Sequence, residues 1–257
     1  MLPVFASLLA ETLGSVKCNK KSDCTILVTD FVSPQGFTST YGTRLADELS
    51  VEIARQKNSI PMADRAHLGK YLSVLREERV PANLQRSPSV IRWLGKQTNA
   101  SVVLVGEIEG QTSSTVRLAA HFLSVEDGKL VSPTISVALP LPPSLEELST
   151  NRPLPPLPPL PETINGERIY QVGNQGVGFP KCQYAPQPPY TDEARKFQLS
   201  GLMVLEGVVD KYGVVRILRV MSGLPFGLNE NGGPDFVHLE VRTGNAGGPA
   251  SLNVCPV

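Results

Sequence analysis

The chain has 257 residues, of which 41% are hydrophobic, a composition ordinary for one large or two modest globular domains. Lys plus Arg and Asp plus Glu are equal at 24 each, so the formal net charge is zero and no whole-protein field favours nucleic acid or an anionic membrane. No apolar stretch approaches the roughly 20 residues of a transmembrane helix. We therefore expect neither nucleic-acid binding nor a membrane span.

The chain begins with a short apolar run in which residues recur at helical spacing: Leu2, Phe5, Leu9 and Leu13. This spacing predicts an amphipathic helix packed on its own domain. No Lys or Arg precedes the run and no convincing small-residue cleavage site follows it, so it makes a poor signal peptide.

Alternating strand and helix patterns fill most of residues 1–135. The predicted strands are 25–31, 101–110 and a partner over 115–131, and the predicted helices are 42–56, a stretch around Leu68 to Leu75, and 88–99 with Ser87 as its cap. This order predicts an α/β domain, a mixed sheet with flanking helices.

Proline dominates the next segment, residues 136–163. Nine of the 22 residues from Pro140 to Pro161 are proline, a composition that excludes a helix or an interior strand and favours extended polyproline II. We interpret it as a semi-rigid linker between domains, and an SH3-type ligand is the less favoured alternative.

A small α+β domain is predicted over residues 164–230. A short helix is predicted over Thr191 to Leu199, with Thr191 as its cap and Gly201 as the residue that ends it. Two apolar strands follow, over 203–209 and 214–221, and the turn between them includes Asp210 and Gly213, where glycine permits a left-handed conformation.

This last domain resembles the TonB family C-terminal domain. The resemblance is carried by QPPY at 187–190, by Ala194 and Arg195, by the glycine-led hairpin SGLMVLEGVVDKYGVV, and by GLNE at 227–230. Thr191 stands where the family usually has proline, and a good helix cap is a mild change there. The resemblance gives Ala194, Arg195, Gly201, Asp210 and Gly213 the role of structural motif residues.

The TonB resemblance also implies partners, a location and a function. It implies a periplasmic module that binds an outer-membrane receptor or other envelope protein by β-strand addition and works with inner-membrane motor proteins in energy transduction for transport. Partner contact would fall to Gln187, Pro188 and Tyr190, although QPPY alternatively serves only as an extended lead-in to the helix. The sequence leaves open whether the chain forms a homodimer.

Residues 1–135 resemble, more weakly, the TolB N-terminal-like, FlgO-like and CsgG-like envelope-assembly domains. The motifs behind this resemblance are VTDF, LADELS, ADR at 63–65, the strand SVVLVGEIEG and the run EDGK. None of these motifs is catalytic. The alternative function is therefore an envelope-assembly or adaptor protein whose N-terminal domain is the main functional unit.

After Glu230 the chain departs from the TonB pattern. Residues 231–257 contain five glycines and no helical period, which predicts an irregular tail. When the stretch HLEVRTGNA of this tail is written with all the codons that can encode it and is read one base later, the permitted residues include a tryptophan-containing stretch of the kind that the family has here. We therefore hypothesise a frameshift near codon 231.

Catalytic and cofactor sites are not expected. His67, His121 and His238 are isolated, GNQGVG at 173–178 lacks the flanking strand and helix of a dinucleotide site, and the four cysteines match no metal or redox spacing: Cys18, Cys24, Cys182 and Cys255. We expect unpaired thiols, with a Cys18 to Cys24 bridge left open. Asp64 and Arg65 could form an active-site pair, but a structural ion pair is favoured. The chain is predicted not to be an enzyme.

Overall fold

The computed structural model describes residues 2–14, 16, 24–56, 60–148, 157, 159, 161–164, 166–171, 181–184, 190–209, 215–231, 238–240 and 250–253. The chain divides into two compact units, one formed by residues 1–74 and 82–153 and the other by 75–81 and 154–257. No helix within the described ranges is both long and apolar enough to cross a membrane.

The first unit is built on a four-stranded mixed sheet in the order β1–β2–β3–β4. The strands are β1 (Ile26–Val32), β2 (Val102–Gln111), β3 (Thr115–Ser124) and β4 (Ile135–Pro140). β1 is parallel to β2, and the other neighbours are antiparallel. The helices are α1 (Leu2–Leu13), α2 (Thr40–Gln56), α3 (Arg65–Glu77), α4 (Ala82–Gln85) and α5 (Pro88–Gln97), and a short 3-10 helix spans Leu145–Leu148.

Helices cover both faces of this sheet, which confirms the predicted α/β class. One face packs with α1 and α2, because Phe5, Leu9, Leu45 and Leu49 share a single core with Val28, Leu104, Leu118 and Phe122. The other face packs with α5, because a Cβ added to Gly95 of this helix would lie only 3.2 Å from a methyl group of Val103. The central strands are therefore buried on both sides, as their continuous apolar sequence requires.

Local sequence sets the helix starts. Ser39 caps α2, because its Oγ accepts a hydrogen bond from the Gly42 N–H at 3.1 Å. Ser87 caps α5 in the same way through the Val90 N–H at 3.4 Å, as predicted, and Pro88 occupies the first turn, where it forgoes no hydrogen bond.

The first sheet extends into the segment predicted as linker. β4 occupies Ile135–Pro140, and the linker was predicted to begin at residue 136. Proline is tolerated there because Pro140 ends an outer strand, where its missing N–H interrupts no ladder.

The second unit holds a four-stranded sheet in the order β10–β9–β12–β7 and two smaller two-stranded sheets. Its strands are β5 (Thr163–Ile164), β6 (Glu167–Arg168), β7 (Tyr170–Gln171), β8 (Lys181–Tyr184), β9 (Val204–Val209), β10 (Val215–Ser222), β11 (His238–Glu240) and β12 (Ala250–Asn253), and its helices are α6 (Asp192–Phe197) and α7 (Leu228–Asn231). β9 and β10 pair antiparallel as predicted. The tail predicted as irregular instead contributes β11 and β12.

Cys24 is disulfide-bonded, so the expectation of an unpaired thiol is wrong at this position. Its side chain is buried just before β1. Cys18 and Cys255 lie outside the described residues, and the Cys18 to Cys24 bridge stays the alternative that the sequence left open.

Candidate functional site

The outer edge of β1 is closed by the chain itself. The Ile26 N–H donates to Pro61 O at 2.9 Å, and the Ala63 N–H donates to Ile26 O at 2.7 Å. Further along, the Arg65 side chain donates to Val28 O. This edge is thus occupied by a neighbouring segment and a guanidinium group, which leaves little backbone for another chain to pair with.

The opposite edge, β4, is arranged differently. The Leu141 N–H donates to Ser114 O at 3.1 Å, which fixes the phase of the β3–β4 ladder. Because hydrogen-bonded and non-bonded pairs alternate, Leu139, Val137 and Ile135 bond toward β3. Ser136 and Ala138 therefore direct their N–H and C=O groups outward, and no strand pairs with them within the described parts of the chain.

The side chains of β4 carry no charge. Leu139 is buried against the core, Ile135 and Val137 are half-buried, and Ser136 and Ala138 are exposed. Sheet edges are commonly protected by charged side chains, prolines or bulges, and β4 has only Pro140 at its end. We refer to residues 135–139 as the open edge.

A polar cluster around Arg65 lies at the other side of the sheet. Arg65 Nη2 donates to Asp30 Oδ1 at 2.7 Å, and Arg65 Nε donates to Asp47 Oδ1 at 2.6 Å. The Thr43 hydroxyl donates to Asp30 Oδ2 at 3.1 Å. We call Asp30, Thr43, Asp47 and Arg65 the arginine clamp, because one guanidinium joins the end of β1 to α2 and to the start of α3.

The predicted pair of Asp64 and Arg65 is not formed. Asp64 instead caps α3, since its Oδ1 accepts from the Ala66 N–H at 2.8 Å, and its Oδ2 lies 3.2 Å from His67 Nδ1. Arg65 turns to Asp30 and Asp47, as the preceding contacts show. The favoured structural role of Arg65 agrees with this geometry, but its partners differ from the predicted one.

A pocket of about 330 Å³ adjoins the clamp at the start of α2. Its lining residues are hydroxyl-bearing or charged: Asp30, Thr38, Ser39, Thr40, Thr43, Arg44 and Asp47. Arg44 Nη2 lies 2.7 Å from Glu147 Oε2 in an ion pair, and the Arg44 guanidinium lies over the Tyr41 ring. All of the lining residues therefore carry polar side chains, and hydrogen bonds or ion pairs fix several of them.

His121 lies on the face of the sheet opposite the α1 and α2 core, close to the ion pair of Arg86 and Glu107. Arg86 Nη2 donates to Glu107 Oε2 at 2.8 Å. Burial lowers the pKa of His121, the Arg86 charge lowers it further, and the Glu107 carboxylate partly opposes both effects. The folded protein therefore favours the neutral form of the imidazole.

The lowered pKa of His121 makes stability depend on pH. The unfolded chain binds the proton more tightly, so the His121 contribution is fully present above its ordinary pKa of 6.5 and is lost as pH falls from there toward the folded value. H121Q is expected to flatten this part of the profile. Urea unfolding of both proteins from neutral to mildly acidic pH measures it, and equal losses in parent and variant would contradict it.

The predicted partner-contact residues in the second unit are only partly described, since Gln187 and Pro188 lie outside the described residues. The Tyr190 hydroxyl donates to Leu199 O at 3.0 Å, and Arg195 Nη2 donates to Tyr190 O at 3.0 Å. Ala194 is fully buried. These contacts fix the start of α6, which is the structural alternative considered for this motif.

Thr191 is the cap of α6 as predicted, and its Oγ1 accepts from the Ala194 N–H at 3.1 Å. The predicted helix end at Leu199, with Gly201 as the terminating residue, lies two residues too far along the chain. The helix ends at Phe197, and Gln198 takes the left-handed conformation with φ of 54° as its C-cap. Asp210 and Gly213 lie outside the described residues.

Asp30, Asp47 and the open edge were not singled out by the sequence. Asp30 lies in VTDF, Asp47 in LADELS and Arg65 in ADR, three motifs that were noted separately. Their shared contact was the missing information. No group of three or more His, Cys, Asp or Glu side chains in the described ranges is placed to hold a metal ion.

Several solved structures are similar over about half of the chain. They include the LpoB C-terminal domain from Salmonella enterica (TM-score 0.40, 12% identity, 52% of this chain and 94% of that chain) and the LpoB C-terminal domain from Escherichia coli (0.39, 14%, 52% and 93%). Lipoprotein GNA1162 from Neisseria meningitidis follows (0.34, 14%, 46% and 81%).

The predicted membership of the TonB family is wrong. No protein-family model and no curated protein matches the sequence, and the similar structures named above are LpoB and GNA1162 rather than TonB proteins. The partner role of QPPY and the frameshift hypothesis were drawn from the TonB pattern, and both stay predictions.

Proposed function

We propose that the chain is an adaptor of the bacterial cell envelope that binds another envelope protein through its first unit, without catalysing a reaction. The open edge is the observation that carries this proposal. An extended segment of a partner would add a fifth strand beside β4 and satisfy the outward groups of Ser136 and Ala138.

The surroundings of the open edge indicate what the partner segment looks like. Ile135 and Val137 are half-buried at the rim of the core, so part of their apolar surface faces the position of an added strand. Because side chains alternate between faces, the segment should carry apolar residues at every second position on that side. Its other side would lie beside the exposed Ser136 and Ala138 and should be polar or small.

The difference between the two sheet edges supports binding at β4. Main-chain contacts from residues 61–63 and the Arg65 side chain close the β1 edge. A protein that must only avoid aggregation gains from protecting both edges. An edge strand such as β4, uncharged and without a pairing strand among the described residues, is the arrangement expected of an edge that another chain completes.

The disulfide of Cys24 supports the envelope location. Disulfides persist in oxidising compartments such as the periplasm and are rare in the cytosol. Cys24 is disulfide-bonded, and this buried residue lies just before β1. Alkylation of cells before lysis should therefore leave Cys24 unmodified, and complete alkylation of this thiol would contradict the location.

The binding proposal is tested by removing one outward N–H. In A138P the proline lacks the N–H that faces away from β3, so the β3–β4 ladder keeps its hydrogen bonds. A photo-crosslinking residue at Ser136 should give one discrete protein adduct in cells that produce the full chain. The yield of this adduct is expected to fall about tenfold in A138P, which corresponds to a loss of roughly 1.4 kcal/mol of binding free energy.

Two controls make the crosslinking result specific. A138T retains the N–H and adds a β-branched side chain on the exposed face, so its adduct should remain. The same crosslinker at Val51, an exposed residue of α2, should not give that adduct. No adduct at Ser136, or an adduct that A138P leaves unchanged, would reject strand addition at the open edge.

A further inference from the structure

We propose that the polar pocket at the start of α2 binds a neutral saccharide. The pocket is lined by residues 38–40, 43, 44 and 47 together with Asp30, and its volume of about 330 Å³ lies at the lower end for small-molecule sites. It is separate from the open edge, so the inference stands independently of the proposed protein partner.

The pocket holds polar groups that are not engaged with the protein. Among the described residues, the hydroxyls of Thr38 and Thr40 form no hydrogen bond, and Asp47 uses only Oδ1, which accepts from Arg65 Nε. Asp47 Oδ2 is thus an acceptor whose carboxylate is already oriented. Two hydroxyls and a carboxylate oxygen offer the mixed donors and acceptors that sugar hydroxyls require.

The charges at the pocket argue against an ionic ligand. Asp30 and Asp47 would repel an anion, and the Arg44 guanidinium is already paired with Glu147 at 2.7 Å. A divalent cation needs several oxygen ligands, but both oxygens of Asp30 are committed, one to Arg65 and one to Thr43. A ligand without charge, rich in hydroxyl groups, fits the remaining atoms.

An exposed aromatic residue directly precedes the pocket residues in the chain. Phe37 directly precedes Thr38, and half of its surface is exposed, at 50%. Its backbone is held in a closed turn, because Ser33 N donates to Phe37 O at 2.9 Å and Phe37 N donates to Ser33 Oγ at 3.2 Å. Within this inference, the exposed Phe37 ring is the apolar surface for the C–H face of a bound sugar ring.

Titration of the full chain with glucose, galactose and N-acetylglucosamine, followed by NMR, tests the inference. At least one sugar should bind with a millimolar dissociation constant. F37A and T40V should each weaken that binding by about tenfold, a loss of roughly 1.4 kcal/mol. Phe37 and Thr40 are exposed, so both variants should fold normally. L130A replaces an equally exposed residue outside the pocket and should bind like the parent.

Three outcomes would overturn the saccharide site. The first is the absence of saturable binding by any of the three sugars. The second is binding that F37A and T40V leave unchanged, which would put the sugar elsewhere. The third is saturable binding of inorganic phosphate or Mg²⁺ at these residues in place of a sugar. Each is measured without a protein partner, so a failure here leaves the adaptor proposal untouched.

Discussion

Replacement of Arg65 by methionine is expected to lower the free energy of unfolding of the first unit by roughly 3 kcal/mol. Arg65 is 13% exposed and bonds the Asp30 carboxylate, which is also 13% exposed, as well as Asp47 and Val28 O. Removing the guanidinium leaves a largely buried carboxylate without its charged partner, and that desolvation cost dominates the loss.

The measurement uses the single tryptophan of the chain. Trp93 is buried in the first unit, so its fluorescence reports urea unfolding of that unit. R55M is the matched control, because Arg55 is 73% exposed and pairs with Glu52 at 3.5 Å, a geometry that contributes below about 0.5 kcal/mol. R65K keeps the positive charge but loses the planar guanidinium that donates to several acceptors at once. Its free energy of unfolding should therefore lie between those of the parent and R65M. Equal stability of R65M and R55M would remove the clamp as a structural element.

The second large effect is expected at Gly42, where α2 approaches β1 most closely. A Cβ on Gly42 would lie 1.9 Å from the Phe31 carbonyl oxygen, and neither backbone can yield without separating the helix from the strand. G42A should therefore cost about 3 kcal/mol, the upper part of the range for overpacked cores.

Gly69 provides a control, because the same substitution there is expected to raise stability. It lies inside α3, and a Cβ there would meet no atom within 4 Å. G69A should raise stability by up to about 1 kcal/mol, because alanine favours the helix and restricts the unfolded chain. Thermal unfolding followed by Trp93 fluorescence compares the two variants. A G42A protein as stable as G69A would contradict the close packing of α2 on β1.

The predictable part of the first unit was its regular secondary structure. The helical spacing of Leu45, Leu49 and Ile53 and the apolar run around β1 are local signals, and both elements form close to where they were predicted. The sheet with flanking helices follows from their order along the chain.

What the sequence did not reveal depends on contacts between distant residues. Nothing local links Arg65 to Asp30 and Asp47, so the adjacent Asp64 was the natural candidate for its partner. β4 is short, and the prolines after it suggested that the linker had already begun. At the end of α6, Gln198 adopts the left-handed conformation that glycine usually supplies. The nearest following glycine, Gly201, is therefore the predicted terminating residue, three residues beyond the observed cap.

The parallel pairing of β1 with β2 also determines the order in which the first sheet can be completed. About 70 residues, including four helices, separate the end of β1 from the start of β2. Closing that loop costs entropy before any sheet contact compensates for it, whereas β2, β3 and β4 are joined by short connections. The antiparallel strands can thus assemble first, with β1 docking against them afterwards. A nascent chain that has emerged only through α5 still lacks the strand that β1 needs, so its apolar surface must be shielded until β2 follows.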